Sequence, residues 1–398
     1  MRITAKLLLG ALALTMAGTA SAQERWGGAW GYATSPATRA VKGELPAGTF
    51  RFRMRLSQTG DALRLTFTNP EGARPLRVAS AIVAPASSKR GFALDPAAAK
   101  PVRFSGAAGV TITAGQALVS DAVGFGATSG GDVIVSVTVA DPSTTVAGNA
   151  AFPLAFAEGA KDPAVADEAG MVAQKLRPFV TLIAVRNPSA DCTIVTLGDS
   201  ITEGARGTRQ DWRGWPGTLA ERLIKADPQR HCGVVNMGIS GNRVLRDGRG
   251  TAAVSRFDRD VASVPGVTHM ILFEGINDIW HAGNPGEPPL AVSELIAGYR
   301  KLIDAAHARG IKVIGATLTP AFGKVSRDME AQRAEVNQWI RTGGAFDAVI
   351  DFEAAIRDTS SPVMIKPMFD SGDKIHPGDG GLEAMGRAVP LNLFKPRH

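Results

Sequence analysis

An α/β domain built on a parallel sheet, preceded by a smaller all-β region, is the architecture this sequence predicts. Two rhythms carry the prediction. Up to about residue 140, apolar side chains recur at every second position in short runs, the period of a strand with one buried face. Beyond Cys192, wholly apolar runs alternate with stretches of helical period, as in a parallel sheet covered on both sides by helices. The length sets the scale: 398 residues exceed what one core usually organises.

In the first region, FRFRMRL (Phe50 to Leu56) and ALRLTFT (Ala62 to Thr68) flank SQTGD and read as a hairpin. PLRVASAIVA, VRFSG, GVTITAG and DVIVSVTVA follow, separated by Gly, Pro and Asp, and the set predicts a sandwich or jelly-roll-like fold. From Asp141 to Asp191 no clear period is visible before FVTLIAV (Phe179 to Val185). The boundary is placed near 190, dividing a β-rich segment with its linker, 23–190, from a second domain, 191–398.

In the second domain, TIVTLG, GVVNMG, HMILFEG, KVIGATL and AVIDFE read as strands. Between them lie helical stretches GWPGTLAERLIKA, AVSELIAGYRKLIDAAHARG and MEAQRAEVNQWIRTGG. In the second of these, Leu295, Ile296, Tyr299, Leu302 and Ile303 form one stripe, and Gly310 closes it.

Residues 1–22 begin with Arg2 and Lys6, continue through a Leu and Ala run, and end in Ala20-Ser21-Ala22. This is the pattern of a secretory signal cleaved after Ala22, so the expected location is the periplasm or the medium. Cleavage leaves 376 residues and lowers the net charge from +7 to +5. No basic block is dense enough for nucleic acid, and no later run is apolar for long enough to span a bilayer. Cys192 and Cys232 each precede, by six residues, a glycine that ends a strand. On parallel neighbours the two sulfurs lie at the same end of the sheet, so a disulfide and two separate buried thiols both fit.

Chemistry concentrates where strands end, the edge at which parallel sheets gather their sites. The first strand runs into GDSITEG (198 to 204), the second into ISGN, the third into INDIW, and DSGDKIHPGDGG stands near the end of the chain. A serine hydroxyl needs a base, and His376 is the candidate. Asp373, three residues earlier, meets the other ring nitrogen across one tight turn. An oxyanion needs fixed donors: the N–H of Ser200, the N–H of Gly238 and the Asn277 amide. Taken singly, GDS is equally a strand exit with a helix cap, and NMGISGN a glycine-rich turn; four such segments together point to hydrolysis.

These segments, GDSITEG, NMGISGNR (236 to 243), GINDIW (275 to 280) and DKIHP (373 to 377), resemble the four blocks of the GDSL or SGNH hydrolases. The likeness covers about 190 to 395. It implies a flavodoxin-like three-layer α/β/α fold and a serine esterase acting through an acyl-enzyme, with no cofactor. RWGGAWGYATSP and the strands after it are more loosely similar to the β-domain preceding the catalytic domain in a branch of bacterial arylesterases and acetylxylan esterases. That branch implies an O-acetylated polysaccharide or oligosaccharide substrate, with arylesterase or lipase action as the alternative. A carbohydrate-binding protein with a vestigial hydrolase domain is the reading of another class, and the intact Ser200, Asp373 and His376 speak against it.

Asp199, Asn242 and Asp278 are expected to order the site's loops. Trp212, Trp215, Trp280 and His281 lie beside the motifs as candidates for a sugar platform. His231, His269, His307 and His398 have no partner at metal-ligand spacing, so no metal is inferred.

Overall fold

The computed structural model describes residues 24–36, 42–146, 152–159, 162–165, 167–177, 179–189, 192–228 and 232–394. The signal-like segment 1–22, His231 and His398 lie outside the described residues.

Five parallel strands, Thr193–Gly198, Gly233–Gly238, Val267–Phe273, Lys312–Ala316 and Ala348–Ile350, form one sheet. Their order across it is second, first, third, fourth, fifth, the flavodoxin-like order, which reverses direction beside the first strand. Gly198 pairs in register with Gly238 on one side and Phe273 on the other, so three strands end at one level and deliver their loops to a common place. Helices α1 (Ser200–Glu203), α2 (Gly214–Ala226), α3 (Ala253–Phe257), α4 (Ile276–His281), α5 (Val292–His307), α6 (Arg327–Thr342), α7 (Phe352–Ile356) and α8 (Asp379–Ala388) complete this half. α2, α7 and α8 pack together, and α3, α5 and α6 form a separate group. Placing these groups on opposite faces of the sheet follows from the right-handed crossovers of a sheet that is wound in both directions. Every residue of the first strand is buried, which is why its sequence is a continuous apolar run rather than an alternating one.

The amino-terminal region is two larger antiparallel sheets around a shared core, with a third, two-stranded sheet of Lys42–Leu45 beside Ser143–Val146. One is built on Gly48–Arg55 between Asp132–Val139 and Phe152–Glu158. The other is built on Gly60–Thr68 beside Val180–Arg186, which in turn pairs with Trp26–Gly31. FRFRMRL and ALRLTFT therefore do not form the expected hairpin: they belong to different sheets, and the link between them is an arch. Alternation reports which face is buried, not which strand is the neighbour. Phe50, Phe52 and Met54 meet Leu63, Leu65 and Phe67 across the sandwich rather than along one sheet. The segment after Asp141, with no visible period, contains the strands Ser143–Val146, Phe152–Glu158 and Val172–Leu176. Ala and Pro had hidden them.

The arch is itself a docking element. Ser57 Oγ accepts the Val234 N–H at 2.9 Å, and Gln58 Nε2 donates to the Cys192 carbonyl at 3.0 Å. The strand Gly233–Gly238 is an edge strand, so Ser57 covers backbone that would otherwise be open to pairing. Gly28 donates its N–H to Thr193 Oγ1 at 3.0 Å. The Cys192–Cys232 disulfide is formed. It joins the amino ends of the first two parallel strands, away from the edge that carries Ser200. Replacing both cysteines by Ser is expected to cost about 2–5 kcal/mol of stability, read as a lower urea midpoint; an unchanged midpoint would contradict a structural role.

Candidate active site

Ser200 is placed by a sharp exit from the central strand. After Gly198 the backbone turns at Asp199, whose carboxylate Oδ1 accepts the Ile201 N–H at 2.9 Å and caps α1. α1 is a single turn, closed by Gly204 at φ 89° with its N–H on the Ser200 carbonyl. The hydroxyl is thus held at the first residue of a helix, where backbone N–H groups have no helical acceptor. Ser200 remains 7% exposed, which leaves its Oγ reachable.

The far segment meets it there. His376 Nε2 lies 2.8 Å from Ser200 Oγ, and His376 Nδ1 lies 2.7 Å from Asp373 Oδ2. Asp373 Oδ1 also accepts the His376 N–H at 2.9 Å and the Ile375 N–H at 3.2 Å, so one carboxylate shapes its own turn and aims the ring. Burial pulls the Asp373 pKa upward, but the His376 N–H, the ring hydrogen bond and the ring's charge outweigh it and bring the group down to about 2. Asp373 is therefore an anion that only accepts, and Nδ1 must carry the proton. Nε2 is left with its lone pair facing the serine hydroxyl, the arrangement a general base requires.

Gly238 does not supply the expected oxyanion donor. Its N–H is held by Asn236 Oδ1 at 2.9 Å, and the value of this glycine is steric: a Cβ there would sit 2.2 Å from the Glu203 nitrogen. Bareness at this point lets α1 press against the second strand. In the same loop the N–H of Gly241, at φ 76°, has no acceptor among the described residues. A left-handed residue between Ser240 and Asn242 was the available signal in SGN. Asn277 Nδ2 donates to the Asn242 carbonyl at 3.0 Å and approaches Asp199 Oδ2 at 3.4 Å, so its amide is fixed beside the nucleophile's turn.

Beneath these donors lies a buried charged cluster that the sequence did not announce. Arg256 is 1% exposed and donates to Asn242 Oδ1 at 2.8 Å, the Met237 carbonyl at 2.7 Å, Asp260 Oδ2 at 2.9 Å and the Gly198 carbonyl at 3.1 Å. It thereby ties together the strand before Ser200 and the loop that carries Gly241. Asp278 accepts the Val244 and Leu245 N–H groups at 2.7 and 3.0 Å, yet burial outweighs these bonds and raises its pKa to about 6. Glu274 is raised well above the ordinary carboxyl range, by burial first and then by the Asp199 charge. Neither of its oxygens has a hydrogen-bond partner among the described residues.

A carboxyl whose pKa is raised in the folded state favours folding while it can stay protonated. That contribution is complete below the unfolded value, about 4, and is lost as pH rises through the folded value. Stability should accordingly fall from about pH 4 through about pH 6, where Asp278 ionises, and further as Glu274 loses its proton. Glu274→Gln should flatten that fall and raise the melting temperature at pH 8; an unchanged slope would show that Glu274 takes no part.

The β-region reaches into the site through Glu203. Its Oε1 accepts the Tyr32 hydroxyl at 2.8 Å and lies 3.2 Å from Arg177 Nη2. Its Oε2 accepts the Ser240 N–H at 2.7 Å. Two side chains of the sandwich thus fix an acid of α1, which fixes the residue before Gly241. Arg206, at φ 68°, donates from Nε to Asp373 Oδ2 at 3.2 Å. None of Tyr32, Arg177, Glu203 or Arg206 was singled out from sequence; an acid inside an otherwise buried GDSITEG was the one visible hint.

The aromatic candidates separate. Trp215 is fully buried, donates from Nε1 to Thr202 Oγ1 at 3.3 Å and packs on Phe352. It belongs to the core and is no sugar platform. Trp212 is buried beneath the Arg55 guanidinium and takes the same structural role. Trp280 and His281 stack on each other at the end of α4, both half-buried, and Trp280 packs in the cluster of Ile276 and Ile375. They stand next to the site.

A buried central strand, a serine on a turn, a histidine on its hydroxyl and a carboxylate on the histidine define an ester hydrolase of the serine type. Residues 196–384 match the model of the GDSL-like Lipase/Acylhydrolase family. No curated protein sequence matches the chain. Among solved structures, an acetylxylan esterase from Geobacillus stearothermophilus is 22% identical, over 50% of this chain and 93% of its own, with a TM-score of 0.41. A lipolytic protein of the G-D-S-L family from Desulfitobacterium hafniense is 21% identical, over 50% of this chain and 97% of its own, at 0.39. A GDSL-like lipase from Bacteroides thetaiotaomicron is 17% identical, over 50% and 85%, at 0.36.

Proposed function

We propose that this chain is an exported polysaccharide O-acetylesterase in which Ser200 is the nucleophile, His376 the general base and Asp373 the residue that holds the base. The observation that carries the esterase chemistry is the pair of contacts at 2.8 and 2.7 Å that runs from hydroxyl to ring to carboxylate. Ser200 Oγ attacks the ester carbonyl as His376 Nε2 takes its proton. The tetrahedral oxyanion is met by the N–H groups of Ser200 and Gly241 and by the Asn277 N–H that gives up its long 3.4 Å contact with Asp199 Oδ2. His376 returns the proton to the departing sugar alcohol, leaving an acetyl-enzyme. Water, deprotonated by the same nitrogen, then releases acetate. The pattern of residues 1–22 supports export, and the two main hydrophobic cores support a division near 190, although Ala33 and Leu182 of the first region pack into the second core.

Support for a polymeric sugar substrate comes from a cavity of about 490 Å³ between the sandwich and the loop after α1, lined by charged and polar side chains together with Trp30, Phe92 and Phe152. Hydrated sugars offer hydroxyls and C–H faces to such walls, whereas a long acyl chain needs an apolar one. A panel of p-nitrophenyl acetate, butyrate and octanoate beside acetylated xylan tests the reading. Acetate release from the polymer and preference for the shortest ester are expected; preference for octanoate would move the chain to the arylesterase or lipase reading. Asn277→Ala should lower kcat by about 10²–10³-fold, the usual effect of one lost oxyanion donor, with KM little changed. A change confined to KM would remove Asn277 from that role.

A further inference from the structure

We propose that the cavity between the sandwich and the loop 207–213 is a subsite for a carboxylate-bearing sugar, a uronic acid unit of the same polymer whose ester is presented to Ser200. This deepens the polysaccharide reading and rests on it. The cavity's charge is uneven. Arg53 and Arg55 both bond Asp132, and Arg55 also pairs with Asp211, so these four charges satisfy one another. Lys89 and Arg90 line the same space, are exposed and have no ion-pair partner among the described residues.

A second observation points inward. A smaller cavity of about 40 Å³ shares Trp30, Arg55, Phe152 and Asp211 with the larger one and is also lined by Arg213. Arg213 Nη1 is shut off from solvent and has no hydrogen-bond partner among the described residues, and its guanidinium lies over the Phe152 ring at 4.2 Å. A buried cationic donor without an acceptor is unfavourable unless an anion arrives to take it. A carboxylate presents two acceptor oxygens to such a fork, and the edge-to-face pair of Trp30 and Phe152 beside it offers aromatic surface to the sugar's C–H face. Inorganic anions would use the charge but leave that surface idle.

Position links the subsite to the chemistry. Arg206 touches Asp373, and Thr208, two residues on, lines the cavity while its N–H and hydroxyl bond Asp379 of α8. Two residues of chain span at most about 7 Å, so the cavity's edge and the side chain that holds Asp373 belong to one short loop.

The test is isothermal titration of the full chain with unesterified tetragalacturonate and with xylotetraose, oligomers of equal length that differ in carboxylates. Tetragalacturonate is expected to bind at least tenfold more tightly, and the Lys89→Ala/Arg90→Ala double variant to lose at least fivefold with an unchanged melting temperature. Both side chains are exposed, so the variant should fold; Arg213→Gln, checked by the same melt, supplies an independent loss. Equal affinity for the two oligomers, or an unaffected double variant, would overturn the proposal. So would sulfated dextran binding as tightly with the same losses, which would reduce the site to a general attraction for polyanions. Neither oligomer carries an ester, so these outcomes are separate from turnover of p-nitrophenyl acetate, on which the esterase reading stands or falls.

Discussion

Ser200→Ala is expected to lower kcat for p-nitrophenyl acetate by roughly 10⁶-fold while leaving the melting temperature within a degree or two of wild type. The size follows from what is removed. Without Oγ no acyl-enzyme forms, and His376 has no proton to take, so the whole covalent route is lost rather than one contact within it. What remains is the oxyanion site and substrate binding, worth about 10³–10⁴ over water in comparable hydrolases. The fold survives because Ser200 is bonded through its backbone in α1 and, among the described residues, its side chain hydrogen-bonds only His376. His376→Ala should cost about as much, and the double variant no more than either single one, because hydroxyl and ring act as one unit. Losses that multiply in the double variant would show that the two residues act separately.

Arg256→Met is expected to have the largest effect on stability, about 3–5 kcal/mol, because it removes one partner from a buried ionic cluster and leaves the other charges behind. Asp260 would keep only Arg259 as an ionic partner, Glu274 would lose its nearest cation at 3.8 Å, and the Gly198 and Met237 carbonyls would lose a donor. Activity should fall with stability, since the same guanidinium holds the strand before Ser200 against Asn242. Equilibrium urea denaturation followed by fluorescence reads this out as a lower midpoint; a shift equivalent to less than about 1 kcal/mol would place Arg256 among ordinary surface cations. The two cores call for a second probe, because coincident transitions are what license a single free energy.

The carboxy-terminal half was legible because its signals are local. Wholly apolar runs ending in Gly, Asn or Asp are what buried parallel strands and their loops require, and all five strands stand where those runs are. The sandwich was legible in class but not in pairing. Phe50, Phe52 and Met54 announce a buried face, and nothing in that pattern says whether Leu63 and Leu65 lie beside it or across from it. In the active site, GDS and DKIH could be read because each places its groups within four residues. In the sequence Gly238 reads as an oxyanion donor because glycine at a strand end suggests an open N–H; the Asn236 side chain, two residues back, occupies that bond. Arg256, Tyr32 and Arg177 could not be found in the same way. Each acts on a partner between 14 and 171 residues away, and no spacing in the chain records such a meeting.

The most direct measurement is mass spectrometry of the intact chain after exposure to diethyl p-nitrophenyl phosphate, an ester that phosphorylates an activated serine and is released slowly. One diethylphosphoryl group per chain, mapped to the peptide that contains Ser200, with esterase activity lost in proportion and labelling slowed in His376→Ala, is the predicted result. Labelling at another residue, or full esterase activity in a chain modified at Ser200, would contradict it.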